Sequence, residues 1–220
     1  MTELRSIDAG TKLRQQVRLL VLLDAVCAAG LSPIPVMRLH IIAYMSDVLS
    51  PVWNLIPYEG EVYKRSQGPF YPELQHDLDR LVGRGMVNVE RITHVSVGVD
   101  RARIDAHYSI NRELAGPVLD LLPLLPQEEE PTAFMRELTL ALSSMSDDDI
   151  DRAFEQDATY SNRKIGNKNV IEFHEVRDLN YTANAARAIG NLVPTKAVVG
   201  AGEKVHLYVR HLRARLNGAR

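Results

Sequence analysis

The spacing of apolar residues predicts three helices followed by two strands in the first half of the chain. Apolar positions three and four residues apart recur over residues 11–29, 35–49 and 72–84, as on one face of a helix. Apolar and polar positions alternate over residues 86–92 and 102–110, which is typical of half-buried strands. A polar loop joins the two strands. This order of elements predicts a winged helix-turn-helix with the two strands as its wing.

Local signals mark the ends of the third helix. Gly68 and Pro69 predict a turn before it. Pro72 suits its first position, where a missing N–H leaves no hydrogen bond unmade. Gly85 stands just after it, at the position where a positive φ is usual. After the second strand, Asn111 is suited to cap a further helix.

The second half of the chain predicts a mainly helical part behind a linker. An acidic run is flanked by prolines, which predicts a linker or an exposed corner made of Pro123, Pro126, residues 127–130 and Pro131. Beyond it, apolar spacing predicts helices over residues 132–144, 146–154, 182–192 and 203–216, and a short strand over residues 170–173. We therefore predict a mainly α (α+β) fold, with a winged-helix domain over residues 1–125 and a mainly helical domain over residues 126–220.

Composition and charge narrow the class of protein. Of the 220 residues, 45% are hydrophobic and 25% charged, as in ordinary globular proteins. No apolar run approaches the roughly 20 residues that span a bilayer, and the first residues do not resemble a secretory signal. We therefore expect a cytoplasmic protein without membrane contact. The single cysteine, Cys27, is expected to be a small core residue.

The exposed face of the third helix favours a protein partner over DNA. A helical projection places six charged or polar residues on it: Glu73, His76, Asp77, Asp79, Arg80 and Arg84. Three carboxylates would repel phosphate, so the helix is poorly suited to read a DNA groove. We predict that Glu73, His76, Asp77, Arg80 and Arg84 bind a partner protein.

Two sets of basic residues are candidates for nucleic-acid contact. The formal net charge of −2 argues against a general coating of nucleic acid but allows a local patch. Around the predicted wing the candidates are Lys64, Arg65, Arg101 and Arg103, and on the last helix they are Lys204, Arg210, Arg213 and Arg215. Basic residues near a helix C-terminus also stabilise the helix dipole. The last set therefore fits helix stabilisation, an acidic partner or a phosphate backbone.

Catalytic and cofactor motifs are not found in the sequence. Gly200-Ala201-Gly202 lacks the third glycine of a dinucleotide fingerprint. The histidines have no convincing metal-ligand spacing. Asp147, Asp148 and Asp149 suit the start of a helix better than a cation site. We expect a protein that is not an enzyme and has no metal or cofactor.

Part of the first half of the chain resembles a known family. The resemblance lies in residues 40–89 and is carried by Ala43-Tyr44, Pro51-Val52-Trp53-Asn54-Leu55, Gly68-Pro69-Phe70-Tyr71-Pro72-Glu73-Leu74 and Asp77-Leu78-Asp79-Arg80-Leu81-Val82. In this order they resemble the middle component of ABC-three-component systems. Those are bacterial anti-phage operons, similar to Lamassu, that pair an SMC-like ATPase with a small helper and an effector. The Gly-Pro-x-x-Pro-Glu-Leu core is also similar to the SocA-like (Panacea) antitoxin domain.

The resemblance implies a non-catalytic winged-helix subunit in antiviral defence. Its partners would be the SMC-like ATPase and the effector encoded in the same operon, with nucleic acid reached through the complex. Two alternatives remain open at this stage: a winged-helix DNA-binding regulator and a SocA-like antitoxin.

Overall fold

The computed structural model shows a mainly helical chain with two small antiparallel sheets. It describes residues 2–57, 61–98, 101–162, 170–173, 180–192 and 198–218. The helices are α1 (Thr2–Ala28), α2 (Val36–Leu49), α3 (Pro72–Gly83), α4 (Arg112–Leu119), α5 (Pro126–Leu142), α6 (Asp147–Asp151), α7 (Ala153–Gln156), α8 (Tyr181–Asn191) and α9 (Ala201–Gly218). The strands are β1 (Ile34–Pro35), β2 (Glu61–Arg65), β3 (Gly68–Phe70), β4 (Val87–Gly98), β5 (Arg101–Ile110) and β6 (Val170–Glu172). The prediction of a mainly α (α+β) fold is confirmed, and the strands of both described sheets pair antiparallel.

The chain forms two compact units, and each is built from two segments. Unit 1 comprises Met1–Val36 and Pro72–Glu129, and unit 2 comprises Met37–Tyr71 and Glu130–Arg220. The predicted division between residues 125 and 126 differs from these units, because it places Met37–Tyr71 in the N-terminal domain. In the structure this segment belongs with the C-terminal half. Side chains of α2 bond to distant residues of unit 2, which explains that membership. The winged helix over the first 125 residues stays a prediction.

Unit 1 packs α1 and α3 with a three-stranded sheet. The strand order is β1-β5-β4, with Ile34 opposite Tyr108 and Val87 opposite Ile110. Helix α1 contacts α3, β5 and α4. Helix α3 ends as predicted, since Gly85 has a φ of 73°. The Asn111 side chain accepts a hydrogen bond from a backbone N–H in the first turn of α4, as predicted.

Unit 2 contains most of α2 and of α5, helices α6 to α9 and the sheet β3-β2-β6, and most residues of α2 are buried. Tyr44, Phe134 and Tyr208 are among its largest fully buried side chains. The turn of the β2–β3 hairpin falls at residues 66–67, so Gly68 and Pro69 lie in β3 rather than in the turn. Pro69 lacks an N–H and is tolerated because β3 is an edge strand.

Of the predicted linker or exposed corner, the linker is wrong at residues 126–131, because these residues begin helix α5, while residues 126, 127, 129 and 130 are exposed. Pro126 occupies the first position of the helix, where the N–H groups have no partner within the helix. Pro131 lies inside the helix as its sixth residue, so one helical hydrogen bond is missing there. Glu128 and Glu129 in the first turn favour the positive end of the dipole. Of the described helices, none combines the length and apolarity that crossing a bilayer requires.

Candidate interaction surfaces

Asp157 is the centre of a buried polar network in unit 2. Its carboxylate is fully buried and accepts hydrogen bonds from the hydroxyls of Tyr44 (2.5 Å), Thr182 (2.6 Å) and Tyr208 (2.8 Å) and from the backbone N–H groups of Thr159 and Tyr160. These donors come from α2, α8, α9 and the segment after α7. Buried charge is tolerated only when it is hydrogen-bonded in this way. The network therefore holds unit 2 together.

Burial raises the pKa of the tyrosines around this network. It is the largest cause for Tyr44 and Tyr208, with the nearby Asp157 charge next. Burial also raises the pKa of Tyr160 to about 12. The folded chain therefore keeps these phenols protonated at pH values where exposed tyrosines ionise.

We expect the stability of unit 2 to decrease at alkaline pH. In the unfolded chain the same tyrosines ionise near pH 10, so the stabilisation is complete below that pH and is lost progressively above it, up to a pKa of about 12 for Tyr160. A titration followed by phenolate absorbance, with Trp53 fluorescence recorded in parallel, measures this. Ionisation of Tyr44, Tyr160 and Tyr208 should coincide with unfolding. Full ionisation of all eight tyrosines in a still-folded chain would contradict the expectation.

Arg38 forms a second network in the same unit. Its buried guanidinium bonds both oxygens of Asp151 (2.7 and 2.9 Å) and pairs with Asp147 (3.0 Å). These interactions, the Asp151 hydrogen bond first, raise the pKa of Arg38. The Ser146 side chain caps α6 by accepting from the Asp149 N–H. Asp147, Asp148 and Asp149 thus lie at a helix start, as predicted.

On α3 the structure corrects one predicted partner-binding residue. Asp77 is buried and accepts hydrogen bonds from Gln16 of α1 (2.9 Å) and from Arg80 (3.1 Å). The Arg84 side chain in turn donates to the side-chain amide oxygen of Gln16 (2.6 Å). Asp77 is therefore a link between α1 and α3. The helical projection missed this because Asp77 lies beside the buried stripe, one turn from Leu81.

The remaining predicted residues of α3 are exposed. Glu73 and His76 lie on its first turns, and Arg80 and Arg84 lie near its end. Asp79 is also exposed and accepts a hydrogen bond from Gln75 (3.0 Å). Both signs of charge lie on this face, with Glu73 and Asp79 before Arg80 and Arg84, so it has no marked positive charge.

The basic residues predicted around the wing belong to two different units. Arg101 and Arg103 lie on β5 of unit 1, and their side chains are outside the described residues. Lys64 and Arg65 lie on β2 of unit 2. Lys64 Nζ donates to a backbone carbonyl (3.3 Å), and burial lowers its pKa. The Arg65 guanidinium stacks on Phe70 at 3.6 Å from the ring centre.

The basic residues of α9 lie on its solvent side. Arg210, Arg213 and Arg215 are exposed. Lys204 differs from them, because its aliphatic stem packs against Gly190 of α8. A Cβ added to Gly190 would lie 2.8 Å from Lys204 Cγ. Lys204 therefore contributes to the α8–α9 contact, and three arginines remain as the basic face.

Sequence reasoning missed a group of exposed leucines in unit 1. Leu114, Leu121, Leu124 and Leu125 expose 48%, 58%, 72% and 41% of their surface. They lie within twelve residues that include α4 and the short 3-10 helix Leu122–Leu124. The signal in the sequence was a leucine-rich stretch too short to bury so many apolar side chains. Exposed apolar side chains mark interaction sites when they form a contiguous patch, which makes these leucines candidates for one.

The described residues contain no cluster of histidine, cysteine and acidic side chains arranged to hold a metal ion. Several of their buried acids and tyrosines are held in the networks around Asp157, Asp77 and Arg38, and buried Asp47 accepts a hydrogen bond from the Tyr71 hydroxyl (2.8 Å). The candidate interaction surfaces on the described residues are the exposed leucines, the mixed-charge face of α3 and the basic face of α9. The chain matches no protein-family model, no curated protein and no solved structure.

Proposed function

We propose that the chain is a non-catalytic accessory subunit that binds an SMC-like ATPase of an anti-phage defence complex. The observation that carries this proposal is the exposed leucine group of unit 1, defined as Leu114, Leu121, Leu124 and Leu125. Apolar side chains in water are unfavourable by about 25 cal/mol per Å². A protein partner that covers them recovers that free energy, as at the apolar centre of an interface.

The exposed face of α3 supports the same kind of partner. It carries two acids, Glu73 and Asp79, followed by two arginines, Arg80 and Arg84. A surface with both signs of charge is complementary to another protein surface and is poorly suited to phosphate alone. The resemblance of residues 40–89 to the middle components adds the identity of the partner, an ATPase encoded in the same operon.

The test is co-purification with that ATPase. We expect the wild-type chain to co-purify, and the double variant Leu121→Glu/Leu124→Glu to lose at least about tenfold in affinity, since buried anchors dominate binding. Leu140→Glu/Leu192→Glu is the matched control. It introduces the same two charges at exposed leucines of unit 2, which are 55% and 81% exposed, and should bind like wild type.

Two results would contradict the proposal. In one, the wild-type chain stays monomeric in the presence of the ATPase. In the other, light scattering shows a dimer of this chain alone that Leu121→Glu/Leu124→Glu disrupts, which would assign the leucines to a second copy.

A further inference from the structure

Helix α9 is held firmly on one side. Val205, Tyr208, Val209, Leu212 and Leu216 are each at most 1% exposed. The Tyr208 hydroxyl also donates to Asp157, which ties the helix into the buried network. The opposite half of α9 is therefore presented to solvent in a fixed orientation.

The presented half of α9 carries uncompensated positive charge. Arg210, Arg213 and Arg215 are exposed, and none of them forms an ion pair with another residue in the part of the chain that the structure describes. The one acidic residue of α9, Glu203, lies in its first turn and accepts a hydrogen bond from the Gly200 N–H (2.8 Å). Together α8 and α9 contain four arginines and one lysine against that glutamate. This concentration contrasts with the net charge of −2 of the whole chain.

The three arginines are spread around the circumference of the exposed half of α9 and do not lie in one row along the helix axis. At about 100° per residue, Arg213 and Arg215 lie about 200° apart around the exposed side of the helix, with Arg210 between them. Ala214 and Asn217 lie on the central stripe with Arg210, at the spacing i, i+4, i+7. The helix surface at the centre of the exposed half is therefore narrow at Ala214, which has a small side chain. The guanidinium groups of Arg213 and Arg215 lie on its two sides.

We propose that the exposed half of α9 docks along the major groove of duplex DNA. A helix is about 10–12 Å wide with its side chains, and the major groove of B-form DNA is about 12 Å wide. Phosphates line both edges of that groove. Arg213 and Arg215 then contact phosphates of opposite strands, while Arg210 and Asn217 face the groove floor.

An acidic protein surface explains this arrangement less well. A flat partner would engage cations along one line of the helix, whereas these arginines extend over about 200° of its circumference. Double-stranded RNA is also disfavoured, because its major groove is deep and narrow. Binding of DNA by the isolated chain is independent of any assembly with an ATPase.

The experiment is fluorescence anisotropy of a labelled duplex of about 24 base pairs, titrated with the full chain at several salt concentrations. We expect binding to weaken with salt, by about 0.9 units of slope in log K against log salt for each phosphate contact. Arg210→Gln/Arg213→Gln/Arg215→Gln should make the slope shallower by about 1.8 units, because the two phosphate contacts of Arg213 and Arg215 are lost. Between about 50 and 200 mM salt, the wild type should lose about 12-fold more affinity than this variant.

The matched control is Arg14→Gln/Arg91→Gln/Arg136→Gln, which removes the same charge from exposed positions elsewhere. It should keep the wild-type slope, and circular dichroism should show both triple variants folded. The proposal is overturned by an equal loss in both variants, since overall charge or the β4–β5 ribbon would then bind. It is also overturned by equal affinity for an RNA duplex, or by binding of polyglutamate with no binding of DNA.

Discussion

Replacing Asp157 with asparagine should destabilise unit 2 by about 3 to 4 kcal/mol. Asparagine keeps the size and shape of the side chain but puts an NH₂ group where one carboxylate oxygen now accepts hydrogen bonds. Oδ1 accepts from the Tyr44 hydroxyl and two backbone N–H groups, and Oδ2 accepts from Thr182 and Tyr208. Hydrogen bonds to a charged group contribute about 1.5–3 kcal/mol each, and buried donors left without an acceptor cost more.

Chemical denaturation followed by Trp53 fluorescence measures this effect. Trp53 is the only tryptophan of the chain and packs near Phe134 of unit 2, with 5.9 Å between the ring centres. Asp148→Asn is the control, because Asp148 is an exposed carboxylate in the first turn of α6. It should change the free energy of unfolding by no more than about 1 kcal/mol. Equal effects of the two substitutions would show that the Asp157 network contributes little.

Replacing Gly68 with alanine should destabilise unit 2 by about 2 to 3 kcal/mol. Gly68 has a φ of +122°, which side-chain-bearing residues rarely adopt. A Cβ at this position would also lie 3.2 Å from Cε1 of Phe154. Both the backbone strain and the close approach act against alanine, so β3 should lose its register or push the ring aside.

The same substitution at Gly116 should have the opposite sign. Gly116 lies inside α4, and an added Cβ would meet nothing within 4 Å. Alanine is favoured over glycine in a helix by roughly 0.5–1 kcal/mol. Thermal melts by circular dichroism should therefore rise for Gly116→Ala and fall for Gly68→Ala. A Gly68→Ala variant as stable as wild type would contradict this expectation. It would show that the backbone at the start of β3 accommodates a Cβ without loss of stability.

The elements of unit 1 were predictable because their signals are local. The third helix is predicted by its apolar spacing, and its end is predicted by Gly85, which has the expected positive φ. Strands β4 and β5 were predictable from alternation, although β4 extends six residues beyond the predicted end at residue 92. The cap at Asn111 follows from one side chain and its own next N–H groups.

Errors arose where a partner distant in sequence decides the structure. Strands β2 and β3 are short and have no clear alternating pattern in their sequences. They form because β2 makes backbone hydrogen bonds with β3 on one side and with β6 on the other. Asp77 is buried because Gln16, sixty-one residues earlier, provides a donor for it. The acidic run before Pro131 is helical because its charges favour the start of a helix that later residues then bury.

The amino-acid order was sufficient for the type and approximate length of most helices, for the mainly α class and for the basic character of α9. Those properties depend on residues within a few turns of each other. The assignment of Met37–Tyr71 to unit 2, the burial of Asp157 and Asp77, and the exposure of the leucines of unit 1 required the folded chain. Each of them depends on which distant groups meet, and a hydrogen bond or an apolar contact across more than a hundred residues leaves no periodic pattern in the sequence.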